Sequence, residues 1–81
     1  MRIENGIIIF KSDPENFNKE RIGDKRNTVR VIPESEIKQN LTNFDTIQII
    51  NSVNDRQNFY RKISDISTMM VGETKIFIFS W

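Results

Sequence analysis

The chain has 81 residues, no Cys and no His, and its 12 basic and 11 acidic side chains leave a formal net charge of +1. That length fits one domain, residues 1–81, which buries only about 60% of the surface its unfolded chain exposes. Without Cys or His there is no disulfide, no Cys nucleophile or Ser-His-Asp triad, and no zinc, haem or iron–sulfur site on those ligands; the balanced charge excludes a global polycation.

The first apolar run, Ile7 to Phe10, is short, rich in β-branched residues and follows Gly6, which predicts a strand. Four apolar residues fall short of the about 7–15 of a secretory leader and the about 20 of a membrane helix, so the chain reads as a soluble, cytoplasmic protein. Asp13-Pro14-Glu15 predicts a helix start, with Asp13 as cap, Pro14 in the first turn and Glu15 at the positive end of the dipole. The helix runs to Ile22, buries Phe17 and stops at Gly23. Thr28 to Ile32 alternates as a half-buried strand, with Val29 and Val31 expected in the core and Thr28 and Arg30 pointing away from it. Pro33 ends that strand. Ile37 and Leu41 lie at i, i+4 spacing and predict a second short helix over Glu34–Leu41, with Phe44 three residues on.

The second half reads as β-structure. Thr46–Ile50 is a strand, Asn51–Arg56 a polar turn and Gln57–Ile66 a returning strand. Met69–Gly72 reads as a loop. Lys75–Trp81 is a last strand, apolar on both faces: Ile76 and Ile78 on one, Phe77, Phe79 and Trp81 on the other. Such a strand can close a core with Trp81 as its plug, or serve a dimer. The class is therefore α+β, mostly β: a small curled barrel of about five strands with two short helices.

Charge is uneven. Lys19 to Arg30 holds five basic residues (Lys19, Arg21, Lys25, Arg26, Arg30) and two acidic ones (Glu20, Asp24), a net of +3, so the remainder sums to −2. This segment spans a helix end, a Gly turn and a strand start, a place where backbone N–H groups and cations can meet one anion. Tyr60 and Lys62 share one face of a later strand and are further candidates for a binding surface. No EF-hand loop, Walker A sequence or dinucleotide fingerprint occurs, so neither metal nor cofactor is expected.

The order of parts resembles the ASCH domains of the PUA-like superfamily. A strand (Ile7–Phe10) is followed by a short helix with an aromatic (Phe17), a Gly-x-Lys turn (Gly23, Lys25) and a Thr-hydrophobic-Arg strand (Thr28-Val29-Arg30). Phe44 to Ile49, Phe59 to Ile66 and Gly72 to Phe79 are similar to that family's later strands. The resemblance implies a PUA-like barrel with a groove for RNA or a modified nucleoside, contacted here by the edge that holds Lys25, Arg26 and Arg30. It also implies an alternative, an amidohydrolase of the N4-acetylcytidine type, in which Lys25 activates the Thr28 hydroxyl. That family's third residue is a Glu before the closing strand, where this sequence offers only Asp65 or Glu73. A third reading rests on size and composition: Ala is absent, while Ile occurs 14 times and Asn nine times, the bias of an AT-rich gene. It is a small phage protein that binds and inhibits a host protein.

Overall fold

Asn5 and Gly6 both adopt positive φ, 53° and 76°. Asn-Gly is the signature of a two-residue hairpin turn. Here it joins β1 (Arg2–Glu4) to β2 (Ile7–Ser12) in the computed structural model, which describes residues 1–81. The helix α1 (Pro14–Ile22) follows as expected. The Asp13 carboxylate accepts from the Asn16 backbone N–H (3.0 Å) and from its Nδ2 (2.8 Å). Gly23, at φ 90°, ends the helix in the left-handed conformation that glycine adopts without strain. Two turns are too few to persist alone. Phe17 anchors the helix, fully buried with its ring 5.4 Å from that of Phe59.

The chain then forms β3 (Asn27–Pro33), β4 (Thr46–Asn51), β5 (Asn54–Lys62), β6 (Asp65–Val71) and β7 (Thr74–Ser80). The expected helix over Glu34–Leu41 does not form. Two single 3₁₀ turns, Glu34–Glu36 and Leu41–Asn43, stand in its place. Asn40 is the cause at the second turn: its side chain accepts from the Thr42 backbone N–H at 3.0 Å, offering the backbone an alternative to helix. Leu41 is still buried, and Ile37 and Phe44 pack against the core, so the apolar spacing serves a linker rather than a helix.

The strands make two sheets, β1-β2-β4-β5 and β3-β7-β6. β2 and β4 are parallel, and every other pair is antiparallel. No ladder joins one sheet to the other, so the expected barrel is not closed, and there are seven strands and one α-helix rather than five and two. The chain changes sheets at Ile63-Ser64, which divides the expected Gln57–Ile66 strand. The Ile63 N–H donates to the Asp45 carbonyl on one side and the Ser64 N–H to the Ser80 carbonyl on the other. Met69 and Met70 belong to β6 rather than a loop. The turn is only Gly72-Glu73, with Gly72 at φ 61° in the first turn position.

The inner faces of the two sheets meet over Ile8, Phe10, Ile47, Ile49, Phe59, Phe77 and Phe79, with Phe10 and Phe79 rings 5.3 Å apart. The facing of β3 is the reverse of the expected one. Thr28 pairs with Phe79 and Arg30 with Phe77, so Thr28, Arg30 and Ile32 face inward and Val29 and Val31 face out. A one-residue change of register turns over a whole strand. Ile32 takes the buried apolar place, and the polar groups beside it are tolerated because each is hydrogen-bonded. No helix is long and apolar enough to cross a membrane.

Candidate functional site

The end of α1 and the start of β3 separate two clefts. The Lys25 backbone N–H donates to the Lys19 carbonyl at 3.0 Å, which folds the Gly23 turn back over the helix end. From this turn Lys25 lines one cleft and Arg26 the other, while Asp24 lines neither.

The Lys25 cleft has a volume of about 140 Å³. Thr28, Val29 and Arg30 form one wall; Lys11, Ser12, Asp13, Asn16 and Glu20 form the rest. Its floor is a polar chain. Arg30 donates from Nε to Thr28 Oγ1 (3.0 Å), from Nη1 to the Lys11 carbonyl (2.8 Å) and from Nη2 to Ser12 Oγ (2.6 Å). The Ser12 hydroxyl in turn donates to Glu20 Oε1 at 2.8 Å. Thr28 and Glu20 are only 2% and 1% exposed. The guanidinium lies over the Phe10 ring, 4.7 Å from its centroid. Burial lowers the Arg30 pKa, and the charges of Glu20 and Asp13 partly restore it. Arg30 is thus no solvated edge cation. It is a half-buried tie whose donors are largely taken by the protein. Lys25 is freer, with one long contact from Nζ to Asn16 Oδ1 at 3.5 Å.

The Arg26 cleft is larger, about 270 Å³, and is lined by Arg21, Ile22, Gly23, Arg26, Arg61 and Trp81. Three guanidiniums and an indole meet here with no acidic side chain in the lining. Arg61 is fixed from behind: it donates to the carbonyls of Tyr60 (2.8 Å) and Arg21 (2.9 Å) and stacks on Phe59, 4.6 Å from the centroid. Trp81 packs edge-on against Phe59 at 6.3 Å, and its backbone N–H donates to the Arg26 carbonyl at 3.0 Å. One phenylalanine therefore carries both a cation and the indole.

The structure brings Lys25, Thr28 and Arg30 to one cleft and places Arg26 in the next. Tyr60 and Lys62 lie elsewhere, on the face of β5 opposite Phe59. Asp65 and Glu73 line neither cleft; the carboxyl groups beside Lys25 and Thr28 belong to Asp13 and Glu20. Sequence reasoning missed Ser12, Asn16 and Glu20, whose meeting depends on how α1 lies across β2. It also missed Arg61 and its link to Arg21. Comparisons with family models, curated proteins and solved structures gave no match.

Proposed function

We propose that the domain binds single-stranded RNA or a nucleotide through the basic turn between α1 and β3, with the Arg26 cleft as its main seat. The carrying observation is the composition of that cleft: Arg21, Arg26 and Arg61 beside Trp81, without an acidic side chain. Phosphate is held by guanidinium forks, and a base stacks on an indole or an Arg plane. The Lys25 cleft suits phosphate less well, because Asp13 and Glu20 share it. The resemblance to ASCH domains supports the same assignment through the order strand, helix, Gly-x-Lys turn and Thr-x-Arg strand; the unclosed sheets are a departure from that family's barrel. Trp81 is the sole tryptophan, so its fluorescence reports directly on the site. Titration with a single-stranded RNA oligonucleotide at low salt should quench it, and Arg26→Ala should weaken the binding. No quenching and no binding at low salt would remove the proposal.

A second reading is hydrolysis of an N4-acyl cytidine in the Lys25 cleft. It is favoured by one observation: Lys25 and Thr28 line the same cleft as a buried carboxyl group, Glu20. Release of cytidine from N4-acetylcytidine is its direct assay.

A further inference from the structure

We infer, on the premise that the Arg26 cleft binds nucleic acid, that the group it seats is a terminal phosphomonoester, on a free nucleotide or at an RNA end, and not a phosphodiester within a strand. Arg21, Arg26 and Arg61 all line this cleft. The ion pairs of the chain are Arg2 with Glu4 and Lys19 with Glu15, so no carboxylate side chain neutralises any of the three guanidiniums. Arg61 uses one donor from each Nη on backbone carbonyls, while the side chains of Arg21 and Arg26 donate to no group of the protein. Their forks of N–H donors are therefore open to a ligand. Arg61 is half-buried and held against Phe59, so it does not swing away from its neighbours. Like charges gathered and left unpaired in this way call for an anion of matching charge.

Room favours a strand end. A volume of about 270 Å³ lies just below the range that holds a drug-sized ligand, which is space for one nucleotide and not for a run of them. A strand interior delivers one charge per nucleotide, so three guanidiniums would need three nucleotides. A phosphomonoester carries about −2 at neutral pH, and the first diester beside it adds one more, so an end brings the matching charge to one place. The flanks favour the same group. A groove for single strands tracks the backbone with continuous positive charge. Here the basic zone stops at the borders of the cleft. Asp13 and Glu20 share the Lys25 cleft on one side of the turn, and Asp24 stands in the turn itself. Toward β6, Asp65 lies opposite Ser80, the residue before Trp81. These carboxylates repel a strand passing through. Stacking is also limited to one base. Trp81 is the one aromatic in the cleft lining, and Tyr60, the exposed ring nearest in sequence to Arg61, lies on the face of β5 opposite Phe59.

Calorimetric and Trp81 fluorescence titrations at low salt should compare one short single-stranded RNA in three forms: hydroxyl at both ends, 5′-phosphorylated and 3′-phosphorylated. A phosphorylated form should bind roughly tenfold to a hundredfold more tightly than the hydroxyl form, the worth of charge-assisted hydrogen bonds to one added group. The chain has no His, and the second ionisation of a phosphomonoester lies near pH 6. The preference for phosphate should therefore grow between about pH 5 and about pH 7.5, while the affinity of the hydroxyl form stays level. Arg21→Ala keeps the carbonyl that holds Arg61 and should shrink the preference several-fold with the far-UV circular dichroism unchanged. Lys38→Ala removes the same charge beside a separate cleft and should leave the preference intact. Competition by uridine 5′-monophosphate distinguishes the sources: displacement of the phosphorylated RNA includes free nucleotides, and no displacement confines the seat to RNA ends. Equal binding of the three forms, or a phosphate preference that does not change with pH, would overturn the inference and leave the RNA reading standing. No binding of any form would remove both.

Discussion

Arg30 Nη2 and Ser12 Oγ, 2.6 Å apart, join the two sheets: Ser12 ends β2 in the four-stranded sheet and Arg30 lies in β3 of the three-stranded one. The same hydroxyl passes the connection on to Glu20 in α1. One serine therefore links three elements, alongside the second bond from Arg30 to the Lys11 carbonyl of β2. Arg30→Ala should cost about 2–3 kcal/mol of stability by urea denaturation, because it takes a donor from the buried Thr28 and Ser12 hydroxyls and from the Lys11 carbonyl. Arg30→Lys should recover only part of this, since an ammonium cannot hold Thr28, Lys11 and Ser12 together. A variant as stable as the unmodified chain would show the tie to be ornamental.

Phe79 is fully buried, with Phe10 at 5.3 Å and Phe77 at 5.8 Å. Phe79→Ala should cost about 3–5 kcal/mol, a large part of the stability of a domain this small. Calorimetry should show either a much lowered melting temperature or no cooperative transition.

RNA binding through three phosphate contacts should give a slope near −2 for log affinity against log salt. Arg26→Ala should bring that slope to about −1.4, with weaker binding of every sequence tested. An unchanged slope in the variant would place the contact elsewhere. Trp81→Phe should retain most of the affinity and remove the fluorescence signal.

For the hydrolytic reading, Lys25→Ala should abolish cytidine release, because Lys25 is the group proposed to activate the Thr28 hydroxyl. Unchanged turnover in that variant would sink the mechanism. No turnover by the unmodified protein would sink the activity.

Asp13 has a lowered pKa, chiefly because the Asn16 backbone N–H, and then its side chain, bond the ionised form. Its folded value lies below its unfolded one, so its stabilising effect is complete above the ordinary carboxylate range. That effect is lost as the pH falls through the lower, folded value. Asp13→Asn keeps a capping side chain and removes the titration. Its melting temperature should therefore fall less steeply than that of the unmodified chain as the pH drops below about 4.

The elements with local signals were the legible ones. Asp13, Pro14 and Gly23 bound α1 by rules confined to a few residues, and the β-branched runs marked most of the strands. β1 was not read from the sequence: the Asn5-Gly6 pair is a hairpin signal, but the three residues before it carry too little apolar pattern to mark a strand. The facing of β3 was not legible, because Val29 and Val31 outweigh Ile32 in any local count. Only the pairing with β7 puts Thr28 and Arg30 beside Phe79 and Phe77. Lys25, Thr28 and Arg30 share a cleft as read from one turn and one strand. Arg61 and Trp81 join Arg26 through contacts between distant segments, which no spacing records.

The parallel pairing of β2 with β4 carries a consequence for synthesis. Ile8 must find Ile47 across a crossover that contains α1 and β3, and β3 itself waits for β7, with Asn27 opposite Ser80. Pairing between such distant segments is slow, because loop closure precedes the contacts that reward it. A nascent chain still lacking Thr74–Ser80 on the ribosome has β3 and β6 without their shared partner. It also lacks Phe77 and Phe79. Cooperative structure should therefore appear only after β7 clears the exit tunnel, and translation arrested before Thr74 should yield a protease-sensitive chain.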